Sequence, residues 1–327
     1  MRAAGSGYWA DMPDNDPQTQ LVKYLTDVHS IEEQAAVQMR RAPDLVEGPL
    51  AEAFQRHLGE TESQEERVRA RLQAHDASPS KVKDLAGAAG GFGMVLFARS
   101  QPDTPGKLAM HAFSYEHMEV AAYELLKIAA REAGDEATAA MAGAIADEER
   151  EMAGRIAARW DEAVEQALAR VDPDDLDDTL NTYLADVHAL EGQSKKLLEK
   201  GREMDVPETL RTAFDHHLSE TEGHLEKIER RLDDRGATPS AIKDAVLRLG
   251  ALNWGVFFAA QPDTPAKLAG FAYAVENLEV AAYELLLRVA RRAGDGETVA
   301  LAESILAEEE AAAKSVADQW SVSIGVA

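Results

Sequence analysis

Apolar residues recur along most of this chain at intervals of three and four, the spacing that gathers them on one face of an α-helix. Residues 17–40 carry such a stripe at Leu21, Leu25, Val28, Ala35 and Met39, and residues 50–75 carry another at Leu50, Phe54, Val68 and Leu72. Ser78-Pro79 and the run QPDTP at 101–105 each set a capping side chain ahead of a proline, which predicts helix starts. From the second of these a third helix is expected to residue 132. Ala133-Gly134-Asp135 then breaks it, and a fourth is expected over 136–168 with Met141, Ile145, Met152, Ile156 and Trp160 inward. Residues 81–100 are apolar but interrupted by Gly87, Gly90, Gly91 and Gly93, which predicts a crossover along the outside of a bundle. Residues 1–16 are polar and read as a loose tail.

The whole pattern then repeats. LTDVHSIEEQ at 25–34 returns as LADVHALEGQ at 184–193, AFQRHLGETESQ at 53–64 as AFDHHLSETEGH at 213–224, and YEHMEVAAYELL at 115–126 as VENLEVAAYELL at 275–286. A period this long is a duplicated domain rather than a solenoid. The expected division is a tail over 1–16, bundles over 17–168 and 178–323, and a charged, proline-containing linker over 169–177. Two helices, one long crossover and two more helices is the connectivity of ferritin-like bundles. The fold class is therefore all-α, as two tandem ferritin-like four-helix bundles.

Composition agrees: Ala, Leu, Glu and Arg dominate and aromatics make up 6%. The absence of cysteine excludes disulfides, thiolate metal sites and thiol nucleophiles. A formal net charge of -25 opposes binding to a nucleic-acid backbone or an anionic membrane. The N-terminus lacks an apolar leader, and the longest apolar run falls short of the ~20 residues that span a bilayer. A soluble, cytoplasmic protein is the simplest expectation.

Most of the acidic residues are explained by a solvated surface. A minority fall on apolar faces. Helical spacing centres Glu32 on the first stripe with His29 beside it, and Glu119 on the third among Tyr115, Ala122, Tyr123 and Leu126, with Glu116 on the flank. Glu149 is nearer the centre of the fourth stripe than Glu148. The second stripe carries His57, Thr61 and Gln64, with Glu60 at its edge. The second copy repeats this with Glu191 and His188, Glu279 and Glu276, Glu309 and Glu308, and His217, His224 and Glu220.

Several carboxylates cannot ionise together in a low-dielectric core without cations. No inward lysine or arginine lies in the stripes of the first copy, and in the second Lys195 only borders one. Two divalent ions per bundle, iron or manganese, satisfy the requirement with carboxylate and imidazole ligands. The expected ligands are Glu32, Glu60, Glu116, Glu119 and Glu149 in one copy, and Glu191, Glu220, Glu276, Glu279 and Glu309 in the other, with Glu119 bridging. His29, His57, His188 and His217 stand as ligands, as partners behind ligands or as satisfied core histidines, with Gln64, His224, Glu148 and Glu308 as further alternatives. Tyr123 and Tyr283 read as core residues. Gln64 opposite His224 means that the two sites need not be equivalent.

The run HLGETESQ, the helix EHMEVAAYE, the Glu-Glu pair of the last helix and the Glu-x-Gln of the first, 32–34 and 191–193, together resemble the YciE/YciF stress-protein family of the ferritin-like superfamily. The resemblance covers nearly all of each copy. It implies a rubrerythrin-like bundle with a dinuclear metal centre and association as a dimer. The duplication would then supply both halves as an intrachain pseudo-dimer, with further self-association left open. Ferritins and rubrerythrins place Glu-x-x-His on two helices, whereas no histidine here lies three residues after a glutamate.

The expected function is redox chemistry at a carboxylate-bridged metal pair, acting on Fe(II), O2 or peroxide in stress protection as a ferroxidase or a peroxidase/catalase-like oxidoreductase. The rival expectation is a metal-free helical scaffold or partner-binding module whose inner glutamates are protonated or hydrogen-bonded.

Overall fold

A computed structural model describes residues 16–79, 103–237 and 264–325, and among these there are helices and no strands. The chain divides into two compact units: Met1–Ala167 together with Trp320–Ala327, and Leu168–Gln319. The tail at 1–15 and the crossover at 81–100 lie outside the described residues, as does the crossover's counterpart in the second copy.

In the first unit, α1 (Pro17–Met39), α2 (Gly48–Ala74), α3 (Thr104–Glu132) and α4 (Glu136–Ala157) carry the bundle. Asp16 caps α1, accepting from the Thr19 amide at 3.2 Å, with proline in the first turn. Between α3 and α4, Gly134 takes the left-handed φ of +72° that ends a helix, and Asp135 caps α4 through the Thr138 amide at 3.0 Å. Pairings such as Ile31–Tyr115 and Gln18–Ala133 run α1 and α3 antiparallel, and Gln64–Glu149 and Arg71–Thr138 do the same for α2 and α4. Since α1 and α2 are also antiparallel neighbours, α2 and α3 point the same way. That arrangement requires a connection as long as the bundle between them.

The fourth helix, expected over 136–168, is broken at Ala158-Arg159 into α4 and α5 (Trp160–Leu168). The turn has a packing cause. It tucks Trp160 against Phe113, ring centroids 5.4 Å apart, and buries Ala163, Val164 and Ala167. It also brings the Glu162 carboxylate to the start of α2, where it accepts the Leu50 amide at 3.1 Å. Gly48 permits this approach: its φ is +60°, and a Cβ there would meet Glu162 Oε1 at 3.0 Å.

The second unit repeats the plan with α6 (Leu176–Glu203), α7 (Glu208–Asp234), α8 (Thr264–Ala293) and α9 (Gly296–Ala317), whereas the short α10 (Trp320–Ser323) that follows belongs to the first unit. Asp295 caps α9 and also holds Arg231 and Arg235 from α7, as Asp135 holds Arg71 and His75 in the first unit. Each unit buries one apolar core: Leu21, Leu25, Phe54, Leu72, Leu126 and Ile145 in the first, and Leu184, Phe214, Leu286 and Ile305 in the second are inaccessible or nearly so. Among the described residues no helix is long and apolar enough to cross a membrane.

Candidate metal centres

Inside the first core lies a group that apolar packing does not explain. α2 presents His57, Thr61 and Gln64 at i, i+4 and i+7, all fully buried, towards Glu116 and Glu119 of α3 and Glu149 of α4. One ligand atom from each of His57, Glu116, Glu119 and Glu149 falls within 4.8 Å of the others. His57 Nε2 lies 3.0 Å from Glu116 and 3.4 Å from Glu149, yet no hydrogen bond forms along either line. Both oxygens of Glu116, and one each of Glu32, Glu119 and Glu149, have no hydrogen-bond partner. Each such orphan costs about 1–3 kcal/mol in a folded protein, more when charged.

The electrostatics follow. Burial pushes Glu119 well above the usual carboxylate range, and the neighbouring Glu149, Glu32 and Glu116 add to it. Burial likewise raises Glu149, with Glu116 adding and His57 opposing. Glu32 rises to about 8, again mainly through burial, against the pull of the Tyr123 hydroxyl, which donates to its Oε1. Burial opposes a charge on His57, but Glu116 and Glu60 outweigh it and raise that imidazole well above its ordinary value.

The second unit assembles the equivalent group, His217, Glu276, Glu279 and Glu309, and adds another: Glu191, His224 and Glu309. His224 Nδ1 is 3.0 Å from Glu309 and 3.2 Å from Glu191, and its Nε2 is 2.6 Å from Glu308. Glu309 thus belongs to both groups, where Glu279 on α8 would be the counterpart of the bridging residue expected at Glu119. The first unit has Gln64 in place of His224, and its amide donates to Glu148 and Glu149. One imidazole changes the charge balance: burial raises Glu149, whereas His217 and His224 overcome burial and bring Glu309 down to about 2. Glu276 rises to about 7 and Glu279 well above its ordinary value, both led by burial.

Glu60 and Glu220 do not join these groups. Their side chains remain 27% exposed and sit behind the imidazoles, at 3.0 Å from His57 Nδ1 and 3.2 Å from His217 Nδ1. The cause is their place at the edge of the stripe, where Glu60 also meets Arg155 at 2.6 Å. The second helix therefore contributes an imidazole to the cluster and uses its carboxylate to orient that ring, the arrangement common behind metal-bound histidine. His29 and His188 also lie elsewhere: His29 meets Glu65 at 2.6 Å and groups with Glu33 and Glu65, while His188 meets Glu229 at 3.1 Å. Glu148 is held by Arg67, and Glu308 also faces Lys227. Lys195 pairs with Glu222 at 2.8 Å rather than with the second cluster.

Tyr123 and Tyr283 were read from the sequence as packing residues, and both donate their hydroxyls to the first-helix glutamates, Glu32 and Glu191. The available signal was their position: seven residues after Glu116 and Glu276, on the same helix face.

The donor set fits divalent metal in both units. Carboxylate oxygen and imidazole nitrogen converge in the core of each unit, several of their atoms without a hydrogen-bond partner, in groups that could hold a metal ion. A family model described as Domain of unknown function (DUF892) matches the chain twice, over residues 16–169 and 175–323.

Proposed function

We propose that this chain, which belongs to the DUF892 family and carries its domain twice, is a ferritin-like protein of the YciE/YciF kind that holds paired divalent iron or manganese in bundles over 17–168 and 178–323. The observation that carries this reading is Glu309, common to two groups of buried ligands in one core. A carboxylate shared between adjacent ions is what a dinuclear centre requires. The residues that would hold metal are His57, Glu32, Glu116, Glu119 and Glu149 in the first unit. In the second they are His217, His224, Glu191, Glu276, Glu279 and Glu309.

When bound, such a pair supplies one-electron redox chemistry towards Fe(II), O2 or peroxide, the basis for proposing a stress-protective ferroxidase or peroxidase/catalase-like oxidoreductase. The protein's own part is positional. Glu60 and Glu220 fix the tautomer and plane of His57 and His217, leaving Nε2 free to face the cluster. Tyr123 and Tyr283 hold one oxygen of Glu32 and Glu191. In the first unit the cluster is all but inaccessible to solvent, which strengthens every charge interaction within.

A metal-free scaffold would have to satisfy the same glutamates with protons and hydrogen bonds. The tyrosine, glutamine and histidine donors reach only part of the set: one oxygen of Glu116 and one of Glu276 lie 3.0 and 2.7 Å from an imidazole nitrogen, while their second oxygens and both of Glu279 have no hydrogen-bond partner. The discriminating experiment is electron paramagnetic resonance of the full chain reconstituted with Mn(II). A pair sharing Glu309 gives an exchange-coupled signal that Glu309→Ala removes from the second unit, leaving only the first unit's contribution. An uncoupled signal unaffected by that substitution would refute the dinuclear reading.

A further inference from the structure

We infer that the second unit exchanges hydrated divalent cations with solvent through a cavity whose counterpart in the first unit is closed by Arg155 and Met152, so that the two centres load and release metal at different rates. This rests on the metal-centre reading above.

The cavity, about 140 Å³, runs from His217 and Glu276 of the buried cluster to Glu220 and His216 at its outer side. At a minimum of roughly 10–15 Å³ per water, it has room for several. It exists because α9 presents small side chains to it, Ala311, Ala312 and Ser315. The repeat places Glu151, Met152 and Arg155 at those positions in α4. Met152 is completely buried, and the Arg155 guanidinium binds Glu60 at 2.6 Å, on the outer side of His57.

The charges differ as much as the space. A cation approaching the second unit meets Glu220, which lies 3.2 Å from the imidazoles of both His216 and His217. One approaching the first unit meets a carboxylate already neutralised by a fixed guanidinium. Arginine keeps its charge at any working pH, so this closure does not open by titration. The second cluster is correspondingly less sealed: the His217 side chain retains 6% exposure and that of His57 none.

The test uses the full chain, stripped by chelator, loaded with Mn(II) and mixed with an excess of a chelating dye. The expected record has two release phases of similar amplitude, about tenfold or more apart in rate. Arg155→Ser is expected to convert the slow phase to a fast one. Ser315→Arg should convert the fast phase to a slow one, with circular dichroism confirming an unchanged fold. Bound Mn(II) that leaves in a single phase, or a slow phase indifferent to Arg155→Ser, would overturn the inference while the metal centres stand. A chain that binds no metal would overturn both.

Discussion

Replacing Glu32 by glutamine should stabilise the metal-free protein at pH 7 and leave the metal-loaded protein with almost none of that gain. Glu32 is inaccessible to solvent, and burial raises its carboxyl to about 8 from an ordinary 4.5. The folded state therefore holds a proton that the unfolded chain gives up above pH 4.5. Stability contributed by this group is full below that value and falls as pH rises towards 8. At pH 7 the deficit is at most 1.36 kcal/mol for each of 2.5 pH units, about 3 kcal/mol. The amide is isosteric, never ionises, and can still accept from the Tyr123 hydroxyl. In the chelator-treated protein the variant should thus gain up to about 3 kcal/mol at pH 7, a gain that vanishes near pH 4.5. In Mn(II) the same change removes a ligand and with it the binding contribution, about 2.7 kcal/mol at a metal concentration 100-fold above Kd. Urea unfolding of parent and variant, with chelator and with Mn(II), at pH 5 and 7, measures all four terms. Set against the gain of about 3 kcal/mol, the lost binding leaves a net shift near zero in Mn(II) at pH 7, and a gain of the same size with and without metal would refute the reasoning.

Other expectations test separate parts. Gln64→His should raise bound metal by about one ion per chain and His224→Gln should lower it by about one, read by elemental analysis, since imidazole is the stronger ligand of the two. Asp295→Ala should cost about 1–3 kcal/mol in chemical denaturation, because it removes the carboxylate shared by Arg231 and Arg235 and uncaps α9, while leaving metal content unchanged. The carboxyl of Asp295 sits below its ordinary 3.8 through Thr298 and the two arginines, despite burial. Its contribution is therefore present above pH 3.8 and disappears as pH falls through the lower folded value. Glu162→Ala should destabilise the first unit by about 1 kcal/mol in the same assay by leaving the first turn of α2 uncapped.

Helical class, duplication and the inward glutamates of three helices per unit were legible because they are periodic. A 3.6-residue pattern reports which side of a helix is buried, and Glu32, Glu116, Glu119 and Glu149 are all buried where that pattern put them. The second helix was harder. The stripe put His57 inward and Glu60 at its edge, as the structure has them, but the expected ligand set took the edge carboxylate and left the role of the imidazole open. The ion pair of Glu60 with Arg155 keeps that carboxylate at the edge, and that partner is 95 residues away. His29 was misleading for a related reason: it lies on the side of α1 that meets Glu65 of α2. The break between α4 and α5 carries no glycine or proline, and only the packing of Trp160 and the reach of Glu162 to Leu50 reveal it. The differences between the copies were visible as letters, Gln64 against His224 and Arg155 against Ser315. Their effects on charge and space needed the assembled core.

The central claim is that these buried carboxylates and imidazoles exist to hold metal. Elemental analysis of the full chain, purified without chelator, reconstituted with Fe(II) or Mn(II) and freed of excess ion, tests it most directly. Paired centres predict about three to four ions per chain, with the weaker position in the first unit. Fewer than about half an ion per chain would contradict the account.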